Sequence, residues 1–243
     1  MRGSWRWLLT AVLALALLEG YFIARIALMA YIDPRSTAFQ RSEIRRLTAQ
    51  GQGAARWQQQ WRDYDKIADT LKRAVIASED DGFVNHDGVD WDAIEKAWQR
   101  NAKAAEQAEA RAAQRQPASA PRIRGGSTIT QQLAKNLFLS GERTLPRKGQ
   151  ELILTYALEA LLTKRRILEL YLNSVEWGAG VFGAEAAAQH YFHKSAALLT
   201  APEAARLAVM LPRPRYFEQL PASPYLAHRA TVIAARMRGA ELP

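Results

Sequence analysis

Residues 125–136 read GGSTITQQLAKN and join a glycine-rich turn to a segment with helical periodicity. At 100° per residue, Ile129, Leu133 and Leu137 share one side of the predicted helix. The opposite side carries the polar residues Thr128, Gln131, Gln132 and Lys135. The pattern predicts a helix that packs with one face and presents the other face to a polar ligand.

Thr128 and Gln131 also have the spacing of a capping box at the start of this helix. Such a cap leaves the preceding glycines free to bring the backbone close to a phosphate or a sugar. An ordinary amphipathic helix with a flexible start has the same spacing. Spacing alone therefore does not assign a function to the segment.

Four further motifs occur in a fixed order along the chain. Residues 79–88 read EDDGFVNHDG, residues 147–151 read RKGQE, residues 164–173 read KRRILELYLN, and residues 180–192 read GVFGAEAAAQHYF. With residues 125–136, they resemble the motifs of the peptidoglycan glycosyltransferases of family 51, in particular its monofunctional members, over roughly residues 65–214. The resemblance implies a lysozyme-like helical fold and the polymerisation of lipid II into β-1,4-linked glycan strands, with inversion and release of undecaprenyl pyrophosphate.

The resemblance also implies roles for individual residues. Glu79 becomes the general base, and Glu151 orients the groups that hold the donor phosphates, although a simple i,i+4 ion pair with Arg147 fits the spacing equally. The implied substrate-binding residues are Asp80, Phe83, His86, Ser127, Thr128, Gln131, Gln132, Lys135, Asn136, Arg143, Arg147 and Lys148.

Several of these residues keep a structural alternative. Asp80 suits a helix cap or an ion pair, and His86 suits a loop held by hydrogen bonds as well as a sugar contact. Arg165 and Arg166 fit a solvated helix face as well as an anionic surface.

The same resemblance implies what cofactors and partners to expect. No cofactor is expected to be required, and a divalent Mg²⁺ or Mn²⁺ ion at the donor pyrophosphate is left open. The chain has no cysteine, which excludes thiolate metal sites and a cysteine nucleophile. The expected partners are lipid II, the growing glycan strand and the membrane, with cell-wall synthesis or division proteins as further candidates.

The formal net charge of +9 favours an acidic partner surface, and the two obvious ones are nucleic acid and anionic lipid. The basic clusters lack interleaved stacking aromatics, which argues against nucleic acid. Residues 8–32 are apolar except at Glu19 and Arg25 and are long enough to span a bilayer. A tethered domain therefore favours lipid.

The predicted organisation is a cytoplasmic N-terminus (1–7), a transmembrane helix (8–32), a juxtamembrane segment (33–64) and a glycosyltransferase domain (65–243) with a surface insertion (101–122). Arg2 and Arg6 keep the N-terminus in the cytoplasm, which places the domain on the outer face of the bacterial inner membrane. A cleaved signal peptide is the alternative. Trp57 and Trp61 have helical spacing, and lie either at the bilayer interface or in the core.

No alternating strand pattern of useful length occurs, so the expected fold class is all-α. Asp90 is a candidate N-cap of one further helix, and Thr200 with Glu203 has the spacing of a capping box at the start of another. No SxxK motif is present, and no transpeptidase domain is expected. A lysozyme-like hydrolase or lytic transglycosylase that cuts glycan is the alternative function, and a membrane-anchored scaffold is a third. Cations suit a departing pyrophosphate better than glycan cleavage, which favours the transferase.

Overall fold

The computed structural model describes residues 2–113, 126–142 and 144–243. Its first helix is α1 (Arg2–Leu28), and the part Trp5–Leu28 is long and apolar enough to cross a membrane. The predicted span of residues 8–32 extends beyond this helix, because residues 29–32 form hydrogen-bonded turns. The Met29 carbonyl accepts a hydrogen bond from Nε of Arg166 at 2.7 Å instead of continuing the helix.

Helices also dominate the domain that follows, as the sequence predicts. They are α2 (Ala38–Ala49), α3 (Gly53–Arg56), α4 (Asp69–Glu79), α5 (Trp91–Ala113), α6 (Ile129–Phe138), α7 (Leu145–Leu161), α8 (Lys164–Ser174), α9 (Ala184–Phe192), α10 (Ala201–Met210), α11 (Pro214–Glu218) and α12 (Pro224–Arg236). The expected all-α class is confirmed.

A small three-stranded sheet accompanies the helices. Its strands are β1 (Gln58–Gln59), β2 (Glu176–Gly178) and β3 (Val181–Phe182), in the order β1-β3-β2. The central strand β3 is parallel to β1 and antiparallel to β2. Strands this short cannot show the alternation by which a strand is recognised in a sequence.

The core fixes the helix that carries the predicted base. Helix α10 packs against both α4 and α12, and Leu71, Val75 and Leu207 are fully buried there. Burying a large aliphatic side chain contributes about 1.5–3 kcal/mol. The C-terminal end of α4, where Glu79 lies, is therefore held firmly against the body of the domain.

Helix starts follow the predicted caps. Thr128 and Gln131 form a reciprocal capping box at α6, and Thr200 and Glu203 form another at α10. Asp90 caps α5, where its Oδ1 accepts a hydrogen bond from the Ala93 amide at 2.7 Å. A cap of this kind contributes about 1 kcal/mol.

The two juxtamembrane tryptophans do not share a helix, although their spacing of four residues is typical of one. Strand β1 lies between Trp57 and Trp61 because the chain pairs there with β3. The Trp57 ring lies 5.1 Å from the Phe182 ring, and Trp61 packs partly buried against the core. Of the two alternatives for these residues, the structure therefore favours core packing.

The predicted insertion at residues 101–122 is described only in part. Residues 101–113 continue α5 as a helix, and residues 114–122 lie outside the described residues. The domain boundaries and the insertion stay predictions.

The last turns of α1 dock on the domain. The Phe22 ring lies 5.2 Å from the Phe138 ring at the end of α6, and the Arg25 guanidinium lies 5.5 Å from the same ring. Ile26 is fully buried. Helix α1 therefore contacts α6, the helix that follows the glycine-rich turn.

Arg166 ties the segment that follows α1 to α8. It pairs with Asp33 at 2.7 Å and with Glu169 at 3.0 Å, and its guanidinium lies 5.6 Å from the Trp61 ring. Its side chain is 15% exposed. The solvated-face alternative is therefore wrong for Arg166, whereas Arg165 is half exposed and pairs with Asp65 at the surface.

Candidate active site

Two cavities meet at the start of α6. The first, of about 170 Å³, is lined by Glu79, Asp80 and the residues that precede α6. The second, of about 520 Å³, is lined by cations and by Glu151. Ser127 lines both cavities and connects them. We call them the carboxylate cavity and the cationic cavity.

Glu79 is the last residue of α4 and opens into the carboxylate cavity. Its Oε2 accepts a hydrogen bond from Nε2 of Gln132 at 3.1 Å, and its Oε1 accepts one from Ser78 at 3.4 Å. Burial of the Glu79 side chain raises its pKa. The hydrogen bonds from Gln132 and Ser78 lower the pKa and the neighbouring Asp80 charge raises it, so the net effect is a pKa above the usual value for glutamate. A carboxylate with raised proton affinity is suited to accept a proton near neutral pH.

The Gln132 side chain is itself oriented by a hydrogen bond from Tyr171. The Tyr171 hydroxyl donates to Oε1 of Gln132 at 3.0 Å, so the Gln132 amide group turns its N–H toward Glu79. Burial raises the pKa of Tyr171 well above its usual range, which keeps this hydroxyl a donor. Tyr171 belongs to the KRRILELYLN motif, yet sequence reasoning assigned it no role.

Asp80 lines the carboxylate cavity and holds the start of α6. Its Oδ2 accepts the Ile129 amide at 2.9 Å, and its Oδ1 lies 2.8 Å from Nε2 of His86. The Gly88 amide donates to Nδ1 of His86, so Nε2 carries the proton that bonds to Asp80. A carboxylate at a helix N-terminus is stabilised by the helix dipole. The capping alternative for Asp80 and the loop-holding alternative for His86 therefore both describe the observed contacts.

A second layer of polar side chains supports this loop, and sequence reasoning did not find it. Glu159 accepts a hydrogen bond from Thr130 at 2.6 Å and pairs with Lys164 at 2.9 Å. Lys164 also donates to the His86 carbonyl at 2.5 Å. Each of these pairs is far apart in sequence or joins different helices, so no spacing rule reveals them.

The cationic cavity is built around Glu151. This carboxylate is 3% exposed and accepts Nη1 of Arg147 at 2.7 Å and Nζ of Lys148. Nε of Arg147 is buried and has no hydrogen-bond partner among residues 2–113, 126–142 and 144–243. A buried guanidinium N–H beside a cavity is a site for an anion, because leaving it unpaired costs about 1–3 kcal/mol.

The remaining predicted site residues lie partly at the two cavities and partly inside the fold. Gln131, Gln132 and Lys135 line the cationic cavity, and Thr128 lines the carboxylate cavity while its side chain is engaged in the α6 cap. Phe83 is fully buried in the core, and Asn136 is buried in α6. Arg143 lies outside the described residues.

The residues present do not fit a resident metal ion. No group of three or more His, Asp or Glu side chains that could hold one occurs in the described part of the chain. At the donor side, Glu142 and Glu151 line the cavity, and both oxygens of Glu151 already accept hydrogen bonds from cations.

A partly buried carboxylate beside a cationic cavity, in a helical domain behind an apolar N-terminal helix, is the arrangement of a group-transfer enzyme. Comparison with known sequences gives the family. The chain belongs to the transglycosylase family, which it matches over residues 45–238.

Curated relatives cover nearly the whole chain. A protein of Paraburkholderia xenovorans strain LB400 is 53% identical over 98% of this chain and 94% of its own length. A protein of Burkholderia thailandensis is 54% identical over 100% of this chain and 90% of its own length. A protein of Bordetella pertussis is 51% identical over 96% of this chain and 92% of its own length. All three carry the name biosynthetic peptidoglycan transglycosylase.

Proposed function

We propose that this chain is a peptidoglycan glycosyltransferase that polymerises lipid II into β-1,4-linked glycan strands. The observation that carries the proposal is the meeting of the carboxylate cavity and the cationic cavity at Ser127. Sugar transfer from a pyrophosphate needs a base on one side and cations on the other. The names of the relatives support the same assignment.

Glu79 is the proposed general base. It accepts the proton of the 4-hydroxyl of the GlcNAc of an incoming lipid II, and the hydroxyl oxygen attacks C1 of the MurNAc that ends the growing strand. The C1–oxygen bond to the pyrophosphate breaks on the opposite face, which inverts the anomeric centre and releases undecaprenyl pyrophosphate. The raised pKa of Glu79 and the fixed Gln132 amide support this role.

The donor pyrophosphate is proposed to lie in the cationic cavity. Arg147, Lys148 and Lys135 line it and stabilise the negative charge that develops on the leaving group. Glu151 holds Arg147 and Lys148 in place through its two ion pairs and acts as a positioning residue. The unpartnered Nε of Arg147 supports an anionic ligand at this point.

The membrane topology belongs to the same proposal. Helix α1 is compatible with a single-pass anchor, and Arg2 and Arg6 favour a cytoplasmic N-terminus. The domain then works on the outer face of the inner membrane, where a lipid-linked donor and acceptor are both within reach of it.

A glycan-cleaving enzyme is the competing function. Such enzymes commonly use a second carboxylate beside the first. The nearest one in sequence, Asp80, is bonded to His86 and to the Ile129 amide, and Glu151 is bonded to cations. These contacts favour transfer from a pyrophosphate over hydrolysis.

The decisive experiment is turnover of purified lipid II by the full chain and by the Glu79→Gln variant. We expect glycan polymer from the wild type and a loss of at least about 1000-fold in the variant, because the amide cannot accept the proton. Glu106→Gln, an exposed substitution on α5, is the matched control and should retain full turnover. Near-wild-type turnover by Glu79→Gln refutes the base assignment, and shortening of preformed glycan without polymer favours the hydrolase.

A further inference from the structure

A third cavity lies beside the cationic cavity, on the side of the anchor. It measures about 530 Å³ and is lined by α2 on one side and by residues 138–141 on the other. Phe39 and Gly141 line both this cavity and the cationic cavity. We call it the α2 groove. It takes no part in the proposed transfer step.

The groove carries an excess of positive charge. Its charged lining residues are Arg41, Arg45, Arg46, Arg215, Glu43 and Glu176. Glu43 pairs with Arg46 at 2.6 Å and with Arg215 at 2.8 Å, and Glu176 pairs with Arg215 at 2.7 Å. The two carboxylates are thus matched by two of the four arginines.

The two remaining arginines lie one helical turn apart on α2. Arg41 donates to the carbonyl and the hydroxyl of Ser36, each at 3.2 Å. Arg45 makes no ion pair or hydrogen bond with any residue in the described ranges 2–113, 126–142 and 144–243. Residues four apart on a helix lie about 6 Å from each other, so both guanidinium groups can reach one phosphate.

The opposite wall of the groove is apolar and adjoins the anchor. Phe138 and Leu139 line it, and Phe39 adds an apolar side chain from α2. The Phe138 ring lies 5.2 Å from Phe22 and 5.5 Å from the Arg25 guanidinium, both in the last two turns of α1. The groove therefore joins an anion site to an apolar wall at the point where the anchor meets the domain.

We propose that the α2 groove binds one anionic phospholipid of the surrounding membrane. Its phosphate lies between Arg41 and Arg45, and the first carbons of its acyl chains lie against Phe39, Phe138 and Leu139. Anionic headgroups are attracted to basic residues at the membrane surface by about 1 kcal/mol per residue. The proposal rests on α1 being a membrane anchor and does not depend on the transferase chemistry.

The substrate's own lipid carrier is the competing occupant. The cationic cavity already presents Arg147, Lys148 and Lys135 to a pyrophosphate. The α2 groove is a separate cavity, and its two uncompensated arginines, Arg41 and Arg45, can pair with the single charge of a phosphodiester headgroup.

The experiment measures lipid retention by the full chain in mild detergent with native mass spectrometry. The protein is titrated with phosphatidylglycerol and, separately, with phosphatidylcholine. The test variant is the double substitution Arg41→Gln with Arg45→Gln. The charge-matched control is Lys96→Gln with Lys103→Gln, which removes two exposed cations of α5 that do not line the groove. Equal melting temperatures establish that all three proteins are folded.

We expect the wild type and the control to retain one phosphatidylglycerol and the test variant to bind it about 30-fold more weakly. Phosphatidylcholine should bind weakly to all three proteins. Equal phosphatidylglycerol binding by the test variant overturns the proposal, as does equal binding of phosphatidylcholine by the wild type. Displacement of the bound phospholipid by one equivalent of undecaprenyl phosphate also overturns it, since the groove then belongs to the substrate carrier. Lipid binding is read without turnover, so these outcomes are separate from those of the lipid II assay.

Discussion

The buried carboxylate of Glu185 is predicted to contribute about 3 kcal/mol to folding. Glu185 is 1% exposed and accepts hydrogen bonds from Arg62 and Gln189 at 3.1 Å, from Ser195 at 3.0 Å, and from the Ala196 amide at 2.8 Å. Burial raises its pKa, but these donors outweigh burial and lower the pKa from 4.5 to about 2. A difference of about 2.5 units corresponds to about 3.4 kcal/mol.

The sign of the pH dependence follows from the lowered pKa. The unfolded chain binds a proton at Glu185 near pH 4.5, whereas the folded protein binds it only near pH 2. The stabilisation is therefore complete above about pH 4.5 and is lost as the pH falls toward 2. Replacing Glu185 by Gln removes the charge at every pH and presents an N–H where an acceptor is needed.

The measurement is urea unfolding of the full chain in detergent, followed by tryptophan fluorescence at pH 7 and at pH 2.5. We expect Glu185→Gln to lower the free energy of unfolding by about 3 kcal/mol at pH 7 and by about 1 kcal/mol or less at pH 2.5. The exposed substitution Glu106→Gln on α5 is the control and should change it by less than about 0.5 kcal/mol at either pH. A loss below about 1 kcal/mol at pH 7, or an equal loss at both values, refutes the reasoning.

Two further predictions concern the site and the fold. Gln132→Leu removes the hydrogen bond that lowers the pKa of Glu79, so the pKa rises further and the acidic limb of kcat/KM for lipid II moves to higher pH. If the acidic limb of kcat/KM stays at the same pH while activity falls, the proposed effect of Gln132 on Glu79 is wrong. His193 ends α9 with φ at 54°, in the left-handed region, so His193→Gly should raise the free energy of unfolding by about 0.5–1 kcal/mol. A lower melting temperature in a differential scan speaks against strain at this position.

Much of the local structure follows from short spacings in the sequence. The capping boxes at Thr128 and at Thr200, and the cap at Asp90, are correctly predicted because each involves residues only three apart. The helical periodicity from Ile129 onward is likewise confirmed as α6. The helical class follows from such periodicities, and the family follows from the order of the motifs, which the match to the transglycosylase family confirms.

The support of the site was not predictable in the same way. The Tyr171 hydroxyl reaches Gln132 across 39 positions, and Lys164 reaches the His86 carbonyl across 78. No propensity or periodicity encodes such pairs, because they form only after α8 packs against α6 and against the loop that contains His86. The roles of Glu79, Glu151 and the cations stay predictions, although the structure places them around two adjoining cavities.

Residue types at short and regular intervals are enough to predict the helices, their caps, the apolar N-terminal segment and the family. Which polar groups face the cavities, and which are bonded inside the fold, depends on how the helices pack. Asp80 and Glu79 show the difference: they are neighbours in sequence, yet one caps α6 and the other meets Gln132 in the cavity. The physical reason is that each buried polar group must find a partner, and packing alone determines which partners lie within hydrogen-bond distance.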